Sequence, residues 1–144
     1  DYLWFGIGAF LKKYPRYRYL FGPVSLSNEI PDAGKDLIIQ FYQQYFSHPK
    51  NLASAVMPYQ HSYSKQKLFS GNDYKEEFSE LKKRLKDMGT SVPTLYKQYT
   101  ETYKDGGVHF LSFSVDPDFN YCVDGLVLAD LHLLKEKKRL RYMS

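Results

Sequence analysis

The chain has 144 residues, room for one domain with a real core, and 20 Lys and Arg against 16 Asp and Glu, a net charge of +4. That charge is mild and comes with no base-reading motif, which argues against a nucleic-acid binder, and no apolar run reaches the ~18 residues of a membrane span. Cys122 is alone, excluding an intramolecular disulfide or cysteine cluster; His48, His61 and His109 share no ligand spacing and read as exposed loop residues, so no metal is expected.

Leu3, Trp4, Ile7, Phe10 and Leu11 recur at helical spacing, with Lys12 and Lys13 suiting the C-terminal dipole and Pro15 as the stop. The pattern is already running at Tyr2, next to Asp1, which reads as part of a longer protein. A short apolar strand follows from Tyr17 and runs through Gly22-Pro23 into Ser25, Ser27 and Asn28. Pro23 donates no ladder hydrogen bond and Gly22 packs no side chain, so a bulge, an edge or a parting of strands is expected there. Such a place offers backbone groups of Gly22 and Val24 to a ligand, with Ser25, Ser27 and Asn28 supplying side-chain hydrogen bonds. The plainer reading is that these polar residues only turn the chain.

Pro31 and Asp32 open the next helix, with Asp32 as its N-cap and Leu37, Ile38, Phe41, Tyr42 and Tyr45 on one face. Residues 50–72 are less regular: an insertion or lid loop, with Leu52–Met57 as a short strand ended by Pro58. Asp73 with Glu76 makes a capping-box-like start for a helix carrying Phe78, Leu81, Leu85 and Met88, closed by Gly89. Pro93 opens another, in which Lys97 either pairs with an acidic group or snorkels at the surface. After the Gly106-Gly107 turn, Val108–Val115 reads as a strand with Leu111, Phe113 and Val115 on one side, and Val123–Leu131 as its antiparallel partner. Asp116, Asp118 and Asp124 crowd the connection; they form Asx turns, hold an amine, include a general base or, least favoured because the glycine and terminal glutamate of a calcium loop are missing, bind a cation. The basic C-terminus, Lys135 to Arg141, is a solvated helix or a patch for anionic lipid or an acidic carrier protein. The expected class is α/β, a mixed sheet of roughly four or five strands flanked by four or five helices.

Trp4-Phe5-Gly6-Ile7-Gly8 with Tyr19 to Asn28 resembles the bacterial group named hemolysin, and with it the ornithine-lipid N-acyltransferases and N-acyl amino acid synthases of the GNAT superfamily. Val92 to Tyr99, Gly106-Gly107, Val115 to Asn120 and Asp124-Gly125 carry the resemblance through nearly the whole chain apart from Lys50 to Asn72. It implies residues 1–144 as the C-terminal part of a GNAT-like fold, with N-terminal strands and the phosphate-holding loop outside them. It also implies that an amine attacks a fatty acyl thioester lying between two split strands, with no bound cofactor. The donor would be acyl carrier protein or CoA thioester and the acceptor an amino acid or aminolipid precursor. Catalytic roles would fall on Ser25, Ser27, Asn28, Asp116, Asp118 or Asp124, and substrate contacts on Gly22, Val24 and Lys97. The implied setting is bacterial and cytoplasmic, or peripheral on the inner membrane face; this chain alone would be inactive and prone to pair through an exposed sheet edge. The alternative, from the hemolysin label, is a membrane-surface or partner-binding module without catalysis.

Overall fold

Pro23 limits where its strand can lie, because a residue with no N–H fits a sheet only where that group would have gone unpaired. In the computed structural model, which describes residues 2–60 and 68–143, β1 (Tyr19–Leu26) is an edge strand. It pairs antiparallel with β3 (Cys122–Asp130), from Tyr19 opposite Asp130 to Leu26 opposite Val123, and β3 pairs antiparallel with β2 (Val108–Asp116). The order is β1-β3-β2. The Leu131 N–H donates to the Arg18 carbonyl at 2.6 Å. Antiparallel alternation then turns the backbone groups of Leu20, Gly22, Val24 and Leu26 toward β3, and those of Tyr19, Phe21, Pro23 and Ser25 toward the open edge. Of the three outcomes expected at Gly22-Pro23, the edge is the one found.

The α/β class is as expected, and consistent with a partial GNAT-like fold, but the described strands number three and all are antiparallel. The Leu52–Met57 run forms no strand. Only Pro58 bridges to Ser114, flanked by two bonds, Val115 N–H to Met57 O at 2.8 Å and Tyr59 N–H to Phe113 O at 2.9 Å. Pro58 has no N–H with which to continue a ladder. His61 lies outside the described residues.

One sheet face is core. Val24, Leu26, Val123, Val127, Ala129, Val108, Phe110 and Phe113 are buried there. The expected Leu111–Phe113–Val115 face is corrected by a bulge: the register steps from Phe110 opposite Val127 to Ser112 opposite Leu126. The extra residue, Leu111, shifts the alternation, so Phe110 and Phe113 both point inward with parallel rings 5.9 Å apart.

Five helices complete the described fold: α1 (Tyr2–Lys13), α2 (Asp32–Phe46), α3 (Tyr74–Asp87), α4 (Thr94–Thr102) and α5 (Glu136–Met143). α2 buries Leu37, Ile38, Ile39, Phe41 and Tyr42. Its cap differs from expectation. Pro31, extended, precedes the helix without a side-chain cap, and Asp32 stands in the first turn, where its charge suits the dipole. Asp73 does cap α3, accepting from the Glu76 N–H at 3.1 Å, and Gly89 (φ +76) follows its end. α1 buries Trp4, Gly8 and Leu11, leaving Leu3 and Phe10 exposed. Trp4 sets its edge against Tyr99 and Tyr103, while Phe5 meets Tyr142 of α5 at 5.0 Å.

Glu77 ties the loop before α3 to α2. It accepts from the Tyr45 hydroxyl at 2.5 Å and from the Ser70 and Gly71 N–H groups at 2.9 Å each. Burial pushes its carboxyl up, but these donors outweigh that and hold it down at about 2.

Candidate functional site

The second sheet face is largely open, and alternation fixes what lies on it. Reading across the strands, one row is Ser25, Asp124 and Ser114; the next is Pro23, Leu126 and Ser112; then come Phe21, Leu128 and His109. Ser25 and Asp124 form a non-hydrogen-bonded backbone pair, the kind in which side chains approach most closely. The Ser25 hydroxyl donates to Asp124 Oδ1 at 2.5 Å. A groove of about 430 Å³ opens beside this pair, lined by Pro23, Ser112, Ser114, Asp116, Asp124 and Leu126 together with Ser54–Met57. The 57–59 segment that walls it is held by the backbone bonds to β2 and by the Tyr59 hydroxyl, which donates to the buried Asp36 at 3.2 Å. A second hollow of about 470 Å³ continues along the same face by Tyr19, Leu52, His109 and Leu128. The face therefore offers one carboxylate with a hydroxyl partner at one end of a mainly apolar floor, next to an open strand edge.

The structure gathers some of the sequence candidates and disperses others. Ser25 and Asp124 touch, and Asp116 lines the same groove, although its Oδ1 accepts from the Asp118 N–H at 2.9 Å in the Asx turn that was its plainer reading. Asp118 sits in the short Pro117–Phe119 turn, exposed. Ser27 accepts from the Glu29 N–H at 3.2 Å and turns the chain. Asn28 braces the tip: its amide donates to the Asn120 carbonyl at 3.1 Å, and its oxygen accepts from the buried Lys35 ammonium at 2.9 Å. Asn120 and Tyr121 carry φ of 54 and 58, consecutive left-handed residues that the Asn28 contact helps hold. Gly22 and Val24 pair with Val127 and Gly125, so their backbone groups face β3 rather than the open edge. Lys97 is half-buried on α4, the helix on the core side.

Two features escaped the sequence reading. Ser112, Ser114 and Asp116 form a polar stripe of period two, a signal legible in FLSFSVD as the face opposite Phe113 and Val115. The other is Tyr96. Buried, it donates to the Val24 carbonyl at 2.8 Å and stacks on Phe110 at 5.1 Å. Burial pushes its phenol well up, with the Asp124 charge adding to the effect, so it stays a neutral donor. It joins α4 to β1 directly behind the Ser25–Asp124 row. A β-carbon on Gly125 would lie 2.9 Å from the Tyr96 oxygen and from Phe113 Cε1, so this close packing needs glycine. His48 and His109 are half-buried rather than exposed: their rings lie 4.6 Å apart, and the His109 nitrogens stand 3.2 Å from the Ser47 and Gly106 carbonyls. Among the described residues no three His, Cys, Asp or Glu side chains are grouped to hold a metal ion.

The chain as a whole has a likeness to known proteins. The chain is similar to two glycine N(alpha)-acyltransferases. They come from Bacteroides thetaiotaomicron and Phocaeicola vulgatus, and each is 23% identical over the whole of this chain. The chain spans 43% and 44% of their respective lengths, so the likeness covers less than half of either relative. No family model matches it, and no solved structure does. The relatives' names support an acyltransferase likeness at the level of the general reaction class.

Proposed function

We propose that this chain forms the acceptor side of an N-acyltransferase, in which a primary amine attacks an acyl thioester at the open edge of β1. The observation that carries the reading is the Ser25–Asp124 pair at the end of an apolar groove beside that edge, together with the whole-chain likeness to glycine N-acyltransferases. Asp124 holds the substrate ammonium, and the Ser25 hydroxyl fixes the orientation of the carboxylate. The ammonium gives up one proton, to Asp124 directly or through water, and its lone pair adds to the thioester carbonyl carbon. A C–N bond forms and the C–S bond breaks. The thiolate leaves and takes a proton from the medium, while the nitrogen loses its second proton as the amide forms.

The outward backbone N–H groups of Phe21 and Ser25 suit a carbonyl oxygen that gains charge during the attack. Leu126, Pro23 and Met57 give the acyl chain its apolar contact. A fatty acyl carrier protein or CoA thioester as donor, and an amino acid such as glycine as acceptor, are the finer terms of the same proposal. So is the split of the sheet at the β1 edge, where a further strand of a longer protein would complete the donor site. Asp116 lines the groove as a second carboxylate; Ser27, Asn28 and Asp118 lie outside its lining and have no part in the chemistry on this reading. Lys97, on the core side, has no part in the chemistry on this reading.

The test is acyl transfer read by mass spectrometry, from long-chain acyl-CoA and acyl carrier protein to a panel of amino acids. It is run on this chain and on a version extended to the length of its relatives. Product that falls by about 10²–10⁴ in Asp124→Asn and less in Ser25→Ala supports the assignment. Full activity in Asp124→Asn removes the proposed role, and no product from either version across the panel removes the enzyme reading.

A further inference from the structure

From Tyr2 to Asn28 the sequence contains Lys12, Lys13, Arg16 and Arg18 and no aspartate or glutamate. The structure folds the middle of this stretch into an ordered corner where α1 gives way to β1. The Tyr14 N–H donates to the Phe10 carbonyl at 2.8 Å and the Tyr17 N–H to the Tyr14 carbonyl at 3.3 Å. Three rings meet at that corner, Phe10 with Tyr14 at 5.0 Å, Phe10 with Tyr17 at 5.4 Å and Tyr14 with Tyr17 at 6.3 Å. They cluster without being buried: Phe10 is 47% exposed and Tyr17 45%. Cations stand over the tyrosine rings, Lys13 at 5.4 Å from Tyr14 and Arg16 at 5.1 Å from Tyr17. The exposed aromatic line runs on into the strand through Tyr19 and Phe21. Arg18 is occupied, its guanidinium bonded to Asp130, which leaves Lys12, Lys13 and Arg16 as the charges of the patch.

We infer that the α1–β1 corner is a docking surface for an anionic lipid bilayer, engaged peripherally. Each component answers a property of that surface. Rings with a polar tip settle at the headgroup level, and lysines and arginines are drawn to negatively charged headgroups. A cluster of exposed rings interleaved with cations combines shallow apolar insertion with electrostatic attraction. Charge complementarity is the argument for this occupant: the patch is uniformly basic along its sequence. Rings and cations together match the headgroup zone of a bilayer, which offers apolar and anionic contacts at once. The patch is distinct in sequence from the basic residues of the C-terminus, whose helix α5 packs against α1. There, Arg139 is partly committed, donating to the Leu131 carbonyl at 3.0 Å. No helix among the described residues is long and apolar enough to cross a membrane, and this mode of binding requires none. The inference stands apart from acyl transfer, since Phe10, Lys12, Lys13, Tyr14, Arg16 and Tyr17, on which it rests, take no part in that reaction.

The experiment is flotation of this chain with vesicles of phosphatidylcholine alone and of phosphatidylcholine with phosphatidylglycerol, at low and high salt. Circular dichroism verifies that each variant is folded. Binding to the anionic vesicles, reduced by salt, is expected. Lys12→Glu with Lys13→Glu should weaken it by at least about tenfold, since each cation near the surface contributes appreciably. Tyr14→Ser with Tyr17→Ser should weaken it while leaving its salt dependence in place, and a Lys75→Glu, Lys83→Glu control on α3 should match the parent. Absence of binding to anionic vesicles overturns the proposal, as does an equal loss in the α3 control. Binding to soluble polyglutamate as tight as to vesicles, indifferent to the tyrosine changes, overturns it in favour of an acidic protein partner.

Discussion

Two glycines of α1, two residues apart, should respond to the same substitution with opposite sign. Alanine in a helix interior is more favourable than glycine by about 1 kcal/mol, because the glycine backbone loses more freedom on folding. At Gly6 nothing lies within 4 Å of the β-carbon that alanine would add. Gly6→Ala should therefore stabilise the protein by about 1 kcal/mol, raising the melting temperature by about 2–4 °C for a chain of this size. At Gly8 the same carbon would sit 2.1 Å from the Tyr142 carbonyl oxygen and 2.7 Å from its carbon. These are backbone atoms and cannot rotate aside. Relief requires α5 to move off α1, giving up the contact between Phe5 and Tyr142 and the burial of Tyr142. Overpacking costs about 1–3 kcal/mol, and a clash this close with fixed backbone lies at the upper end, about 2–3 kcal/mol, so after the propensity gain of about 1 kcal/mol Gly8→Ala should lower stability by about 1–2 kcal/mol net. Urea and thermal unfolding followed by circular dichroism give the sign of each change. Limited trypsin digestion at Arg139 and Arg141 shows whether α5 has come loose. A Gly8→Ala protein as stable as Gly6→Ala, with α5 equally protected, would refute the close α1–α5 crossing.

Gly125→Ala should cost about 1–3 kcal/mol, since its methyl meets Tyr96, Phe113 and Phe110. Adding Tyr96→Phe should recover part of that loss, and a double-mutant cycle in urea that shows the two changes to be additive would refute the contact. Glu77, held down at about 2 against an ordinary 4.5, contributes stability that is full above the ordinary value and lost as pH falls from there toward 2. Solvent screening limits this to about 1 kcal/mol. Glu77→Gln should flatten the acid limb of the stability–pH curve, and an unchanged limb would disprove the assignment. Asp130 is pushed up by burial but held below its ordinary value by Arg18 and by the His132 N–H. Arg18→Met should therefore destabilise at neutral pH, with a penalty that shrinks as pH falls and the stranded Asp130 takes a proton. A penalty independent of pH, measured by urea unfolding across that range, would count against the pair.

The sequence by itself determined most of the elements, because those depend on neighbours in the chain. The α3 cap from Asp73 to Glu76 and its Gly89 stop follow from local backbone chemistry, as do the two paired strands after Gly106-Gly107. The edge position of β1 was foreshadowed in Pro23. It missed what depends on how strands lie side by side. Asp116, Asp118 and Asp124 look alike in sequence, yet only Asp124 stands opposite Ser25, because only the β1–β3 register brings those two together. The Leu111 bulge takes Leu111 off the inward face and puts Phe110 there, while Phe113 keeps its expected place; which of the adjacent apolar residues Phe110 and Leu111 turns inward is settled only by pairing with β3. Nothing in the sequence sets Tyr96 apart from its neighbours, because the β1 carbonyl that its hydroxyl meets lies 72 residues away along the chain. Phe10 shares the helical spacing of Trp4 and Leu11 yet is exposed, while α5 packs on the Gly8 side of α1. Periodicity tells which face of an element is apolar, but only tertiary packing decides whether anything covers it.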